Sequence, residues 1–97
     1  MTMRRGKRVT SPHAVVYFAD RVSASPARFG FVVSKAVGGS VTRNLLRRRL
    51  RSISSELIAR GTTGTDIVVR ALPGSGQLDW ATLHHEIATA IAKGTSR

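Results

Sequence analysis

Arg28-Phe29-Gly30-Phe31-Val32-Val33-Ser34-Lys35-Ala36-Val37-Gly38-Gly39-Ser40-Val41-Thr42-Arg43-Asn44-Leu45-Leu46-Arg47-Arg48-Arg49-Leu50-Arg51 is the stretch on which the reading of this 97-residue chain turns. It opens as a strand over Arg28 to Ser34: Phe29, Phe31 and Val33 alternate onto one face, and Gly30, Val32 and Ser34 onto the other. Lys35 to Ser40 reads as a turn, with Gly38-Gly39 supplying backbone freedom. A helix is expected from Val41 to about Ala59, with Ser40 as its N-cap and Thr42 as the alternative. Leu46, Leu50, Ile53 and Leu57 follow spacings of 4, 3 and 4, one apolar stripe for a core. At about 100° per residue, Asn44, Arg47, Arg48 and Arg51 fall roughly opposite that stripe. Arg43 sits at the edge of the polar arc, and Arg49 projects elsewhere as ordinary surface.

The charge distribution says what that helix faces. Sixteen Lys and Arg against five Asp and Glu give +11. The acids are Asp20, Glu56, Asp66, Asp79 and Glu86, so none lies between Arg21 and Ser55, where half of the 16 cations fall. A solvated helix face normally mixes signs and carries Glu four residues before its cations. This one does not. Arginines early in a helix also oppose its dipole at a cost of a few tenths of a kcal/mol each, which folding alone does not explain. Arginine rather than lysine suits forked hydrogen bonding to phosphate oxygens. The surface is therefore read as a nucleic-acid binder, with Lys35, the Gly38-Gly39 backbone and the helix N-terminus as a weaker anion signal.

The rest of the chain supplies one domain over residues 1–97, of the size that removes about 60–65 % of its unfolded surface from water. Residues 1–8 are a basic arm or the start of an edge strand, and 94–97 are expected to fray. His13 to Ala19 is a strand behind Pro12, Asp20 to Ala27 a hairpin loop, and Asp66 to Leu72 a third strand. Gly61 closes the basic helix and Gly64 lies in the next turn. Asp79 is expected to cap a last helix to about Ala92, with Leu83, Ile87 and Ile91 on its buried side. The absence of cysteine removes disulfides and Cys-based zinc sites. No apolar run approaches the roughly 20 residues of a membrane span. No catalytic constellation assembles: Ser34-Lys35 are adjacent, His84-His85 are solvated or capping residues, His13 is isolated, and the acids are scattered.

Arg28-x-Gly30-x-x-Val33-Ser34-Lys35, then glycine, then Val41-x-Arg43-Asn44-x-x-Arg47-Arg48-x-x-Arg51, resembles the bacterial ribonuclease P protein subunit. Weaker similarity runs from about Gly6 to the last helix. The resemblance implies an α+β fold: a small mixed sheet of about four strands with packed helices and a left-handed strand–helix–strand crossover around the basic helix, against the usual hand. It implies a cytoplasmic protein that is a subunit of a tRNA-processing endoribonuclease. In that family the catalytic RNA subunit uses magnesium to hydrolyse precursor tRNA and release the 5′ leader, and no catalytic residue or metal ligand is expected in this chain. Carried over residue by residue, Arg43, Asn44, Arg47, Arg48 and Arg51 contact RNA, with Ser34 and Lys35 beside them. Tyr17 and Val15 line the leader cleft, where an aromatic ring stacks on a base without demanding sequence.

The match is incomplete in three places. Leu45 and Ala36 stand where the family commonly has basic residues. The N-terminal helix with phenylalanines that forms one cleft wall in the family is not expected here, which would leave a sheet face open to self-association. The expected partners are the catalytic RNA and precursor tRNA, and no membrane. Two other readings stay open: a small basic RNA-binding or ribosomal-type structural protein with no role in cleavage, and a DNA binder. The second is disfavoured because, beyond Asn44, the face is nearly all arginine, which positions rather than specifies.

Overall fold

The computed structural model describes residues 6–20 and 25–95. Expectations for residues 1–5, 21–24 and 96–97 lie outside the described residues. The elements are β1 (Lys7–Ser11), β2 (Ala14–Asp20), β3 (Arg28–Val32), α1 (Ser40–Ala59), β4 (Thr65–Ala71) and α2 (Trp80–Thr95), with short 3-10 turns at Lys35–Val37 and Ser75–Gln77. The fold is α+β with a four-stranded mixed sheet in the order β1-β2-β4-β3. β1 with β2 and β2 with β4 are antiparallel, and β3 with β4 is parallel.

That order corrects one expectation. Asp20 to Ala27 is not a hairpin loop, because β4 comes back through α1 and inserts between β2 and β3. The link must therefore cross two strand spacings, about 10 Å. Residues Thr65 to Ala71 suit the central position: Ile67, Val69 and Ala71 are buried on one face, and Val68 adds an apolar residue to the other.

Both helices lie on one side of the sheet. Val16 and Phe18 from β2 and Ile67 and Val69 from β4 meet Leu46, Leu50 and Ile53 of α1 and Leu83, Ile87 and Ile91 of α2 in a single core, with Leu57 partly buried at its margin. These are the stripes expected from spacing. α1 starts one residue earlier than expected: Gly39, not Ser40, is the N-cap, and no side chain caps the helix. Its end is a full Schellman arrangement. The Gly61 amide donates to the Ile58 carbonyl at 3.0 Å and the Thr62 amide to Leu57 at 3.2 Å, with Gly61 at φ +104°. Asp79 caps α2, its Oδ1 accepting the Thr82 amide at 2.9 Å.

Two histidine–carboxylate clasps tie α2 down, and both revise the sequence reading. His13 is not isolated: Glu86 accepts its backbone amide at 2.6 Å and lies 3.0 Å from its Nδ1, while Ser11 Oγ donates to the same carboxylate at 2.9 Å. His84 is neither solvated nor a cap: its Nε2 lies 3.0 Å from Glu56 on α1, which also pairs with Arg60 at 2.9 Å. Near the other end of α2, Gly94 lies flat against the Phe18 ring, so that a Cβ there would overlap it. Phe18 is 4 % exposed and has nowhere to swing.

Burial pushes the Glu86 carboxyl up, but donation from the His13 side chain, Ser11 and the His13 amide outweighs it and holds the group below its ordinary 4.5. Glu56 is lowered chiefly by His84, and Asp79 by Thr82. A carboxyl depressed in the folded state contributes stability above its unfolded pKa, lost as pH falls through the folded value. Urea unfolding at stepped pH should show stability level above pH 4.5 and falling below it, with a shallower fall in Glu86→Gln. Gly94→Ala should cost about 1–3 kcal/mol by overpacking, read as a lower denaturant midpoint at unchanged slope.

Candidate nucleic-acid interface

The site is built on the rotation of α1. With Leu46, Leu50 and Ile53 each at most 2 % exposed, the opposite arc of the helix is fixed toward solvent. Asn44, Arg48 and Arg51 are exposed, and Arg43 and Arg47 are half-buried at the flank. Arg43, Arg47 and Arg51 form one i, i+4, i+8 row, so the helix brings them to one side. Among the described residues none of these arginines pairs with a carboxylate: the acids go to His13, Arg28, Arg60 and His84 instead. The field on this side is therefore unneutralised by the protein itself.

The turn before the helix is joined to that side. Ser34 and Lys35 are exposed at the start of the 3-10 turn, just beyond the end of β3 at Val32. Arg43 Nε donates to the Gly38 carbonyl at 3.1 Å. Arg47 donates through one terminal nitrogen to Asn44 Oδ1 at 3.2 Å and, at a longer 3.5 Å, through the other to the Val33 carbonyl. Arg48 and Arg51 make no hydrogen bond or ion pair within the described protein.

Arg49 is not ordinary surface. Its Nη1 donates to the Leu78 carbonyl at 3.1 Å, and its charge acts on Asp79, so it ties α1 to the entry of α2. Its angular offset from the arginine row is visible in the spacing; its half burial is not.

The face of the sheet away from the two helices is the second surface. Register places Arg8, Tyr17, Val68 and Gly30 in one cross-strand row, and Thr10, Val15, Arg70 and Val32 in the next. Tyr17 is 36 % exposed, Val68 37 % and Val32 47 %. Tyr17 and Val15 thus share this face, as expected. Arg8 and Arg70 join them, and sequence reading passed over both. The period-2 pattern Asp66, Val68, Arg70 would have placed Arg70, but its neighbours only follow once β4 is known to lie beside both β2 and β3. At the far end of the face, Arg28 and Asp66 pair at 3.3 Å. The two surfaces meet at the edge strand β3, where Val32 looks out from the sheet and the next carbonyl, Val33, receives Arg47.

Among the described residues no three His, Cys, Asp or Glu side chains converge as metal ligands, and no helix is long and apolar enough to cross a membrane. Arg49→Ala should lose about 1 kcal/mol of unfolding free energy, whereas Arg51→Ala should stay within about 0.5 kcal/mol of the parent, both read by urea denaturation.

Comparison with known proteins points one way. The family model for Ribonuclease P matches residues 1–94. A ribonuclease P protein component from Clavibacter michiganensis subsp. michiganensis is 46 % identical over 91 residues, covering 94 % of this chain and 80 % of that protein. One from Streptomyces avermitilis is 43 % identical over 99 residues, with the same coverage of 94 % and 80 %. Among solved structures, the RNase P protein from Thermotoga maritima superposes with a TM-score of 0.81 at 25 % identity, covering 92 % of this chain and 84 % of that one. An RNase P protein from Staphylococcus aureus gives a TM-score of 0.82 at 22 % identity, covering 93 % and 82 %.

Proposed function

We propose, from the premise that this chain belongs to the ribonuclease P protein family, that it binds the catalytic RNA of that enzyme and the 5′ leader of precursor tRNA, and so assists tRNA 5′ maturation in the cytoplasm. The observation that carries the reading is the arginine side of α1, free of the protein's own carboxylates and continuous with the turn at Ser34 and Lys35.

In this reading the arginine side, with Asn44, takes the backbone of a structured RNA by charge-assisted, forked hydrogen bonds. The sheet face away from the helices takes a single strand. Tyr17 offers a ring for a base to stack on, with Val15 and Val68 as apolar neighbours. Arg70, in register with Val15 on one side and Val32 on the other, offers a cation to the phosphate between stacked bases. Because the two surfaces meet along β3, one protein can hold a folded RNA and a leader side by side. Two polyanions brought together repel. A chain of net charge +11 between them screens that repulsion, which lowers the magnesium needed for the RNA to act. Hydrolysis is assigned to the RNA partner and its magnesium; the protein's residues bind, orient and screen.

Reconstitution tests this. With a bacterial ribonuclease P RNA and a precursor tRNA at low magnesium, the protein should stimulate 5′ cleavage. Binding to that RNA should weaken with salt at a log–log slope on the order of −4 to −5 for about six phosphate contacts. Tyr17→Ala and Arg70→Ala should weaken binding of a precursor with a leader while leaving binding of mature tRNA unchanged. RNA binding without stimulated cleavage would reduce the protein to a structural RNA-binding role, and a flat salt response would remove the arginine side as the contact surface.

A further inference from the structure

The junction between the 3-10 turn and α1 lacks the usual restraints. Two glycines follow one another, Gly39 caps the helix with no side chain, and the first turn carries no acid. The turn's own bonds are short-range: the Val37 amide donates to the Ser34 carbonyl at 3.1 Å and the Gly38 amide to Lys35 at 3.2 Å. Val37 is anchored in the core, and among the described residues the longer-range hydrogen bonds to the turn come from the helix. The Arg43 amide donates to the Gly39 carbonyl at 2.9 Å while its Nε takes the Gly38 carbonyl at 3.1 Å, and Arg47, steadied by Asn44, reaches Val33. The two guanidiniums therefore hold the chain on either side of Ser34–Val37.

We infer that the run of basic residues on α1 divides into two jobs. Arg43 and Arg47 are positioning residues: they brace the turn against α1 so that Ser34, Lys35 and the helix present one rigid anion-binding unit. Arg48 and Arg51, exposed and without partners in the described protein, are the residues that meet phosphate. This rests on the reading of α1 as the RNA-binding surface. The bracing also has an electrostatic effect. Carbonyl oxygens at Val33 and Gly38 would otherwise turn partial negative charge toward an approaching phosphate, and a guanidinium bonded to each cancels it. Ordering the turn before RNA arrives removes an entropic cost from binding.

Charge-conserving substitution separates the two jobs. Lysine keeps the charge but not the planar Nε–H that meets the Gly38 carbonyl. The measurements are affinity for a bacterial ribonuclease P RNA over a range of salt, and hydrogen exchange of the Val37 and Gly38 amides in the free protein. Arg43→Lys should weaken binding roughly tenfold at every salt concentration, the loss of about one charge-assisted hydrogen bond, with the salt slope unchanged and both amides exchanging faster. Arg48→Ala should lower the slope by roughly 0.7–0.9 with exchange unchanged, and Arg48→Lys should restore the slope. Arg43→Lys that binds as the parent does, with unaltered exchange, overturns the division while leaving the RNA-binding reading intact. Parent protein that binds with no salt dependence overturns the RNA-binding reading itself, and the division with it.

Discussion

Burial of the leucine side of α1 is the constraint from which the rest follows. Leu46, Leu50 and Ile53 are sealed against Val16, Ile67 and Val69 of the sheet and against α2. Each contributes on the order of 1.5–3 kcal/mol by leaving water, far more than any single surface ion pair. That difference decides which interaction wins. The helix cannot rotate to relieve repulsion among its arginines, because a rotation would expose the leucines. The apolar stripe therefore holds a cationic surface in place that electrostatics alone would disperse.

The scarcity of acids works in the same direction. Glu86 and Glu56 are engaged by His13 and His84, Asp79 by the start of α2, and Asp66 by Arg28. Each is drawn into a local structural contact away from the arginine row. The protein stabilises its helix packing with these carboxylates, and among the described residues none of them pairs with Arg43, Arg47, Arg48 or Arg51. The lowered Glu86 carboxyl is the signature of that commitment.

What was legible in the sequence is what short-range periodicity determines. The Leu46–Leu50–Ile53 stripe, the Leu83–Ile87–Ile91 stripe, Gly61 as helix stop and Asp79 as cap all depend on neighbours within a few residues, and the structure shows each of them. The misreadings share a different cause. The hairpin expected between β2 and β3 failed because β4, which begins only at Thr65, intervenes, and no local pattern encodes that. His13 reads as isolated, His84 as solvated or capping and Arg49 as ordinary surface because their partners Glu86, Glu56 and Leu78 lie 73, 28 and 29 residues away. At the candidate interface the arginine arc was legible from angle alone. The use of Arg43 and Arg47 on backbone carbonyls was not, since it depends on how the turn folds back over the helix. Ser40 lost the cap to Gly39 by one residue, within the ordinary uncertainty of a helix start.

Insertion of β4 between β2 and β3 also governs how the chain reaches its folded form. During synthesis the first 64 residues contain a β1–β2 hairpin and a strand–helix unit that have no shared sheet, since the strand joining them begins at Thr65. A two-stranded hairpin alone is marginal in water, and long-range pairing must first meet the entropy of closing its loop. The nascent protein therefore waits, its most cationic segment already made and its sheet still open, until β4 emerges. Completion of the sheet and withdrawal of the α1 leucines from water are in this architecture a single late event.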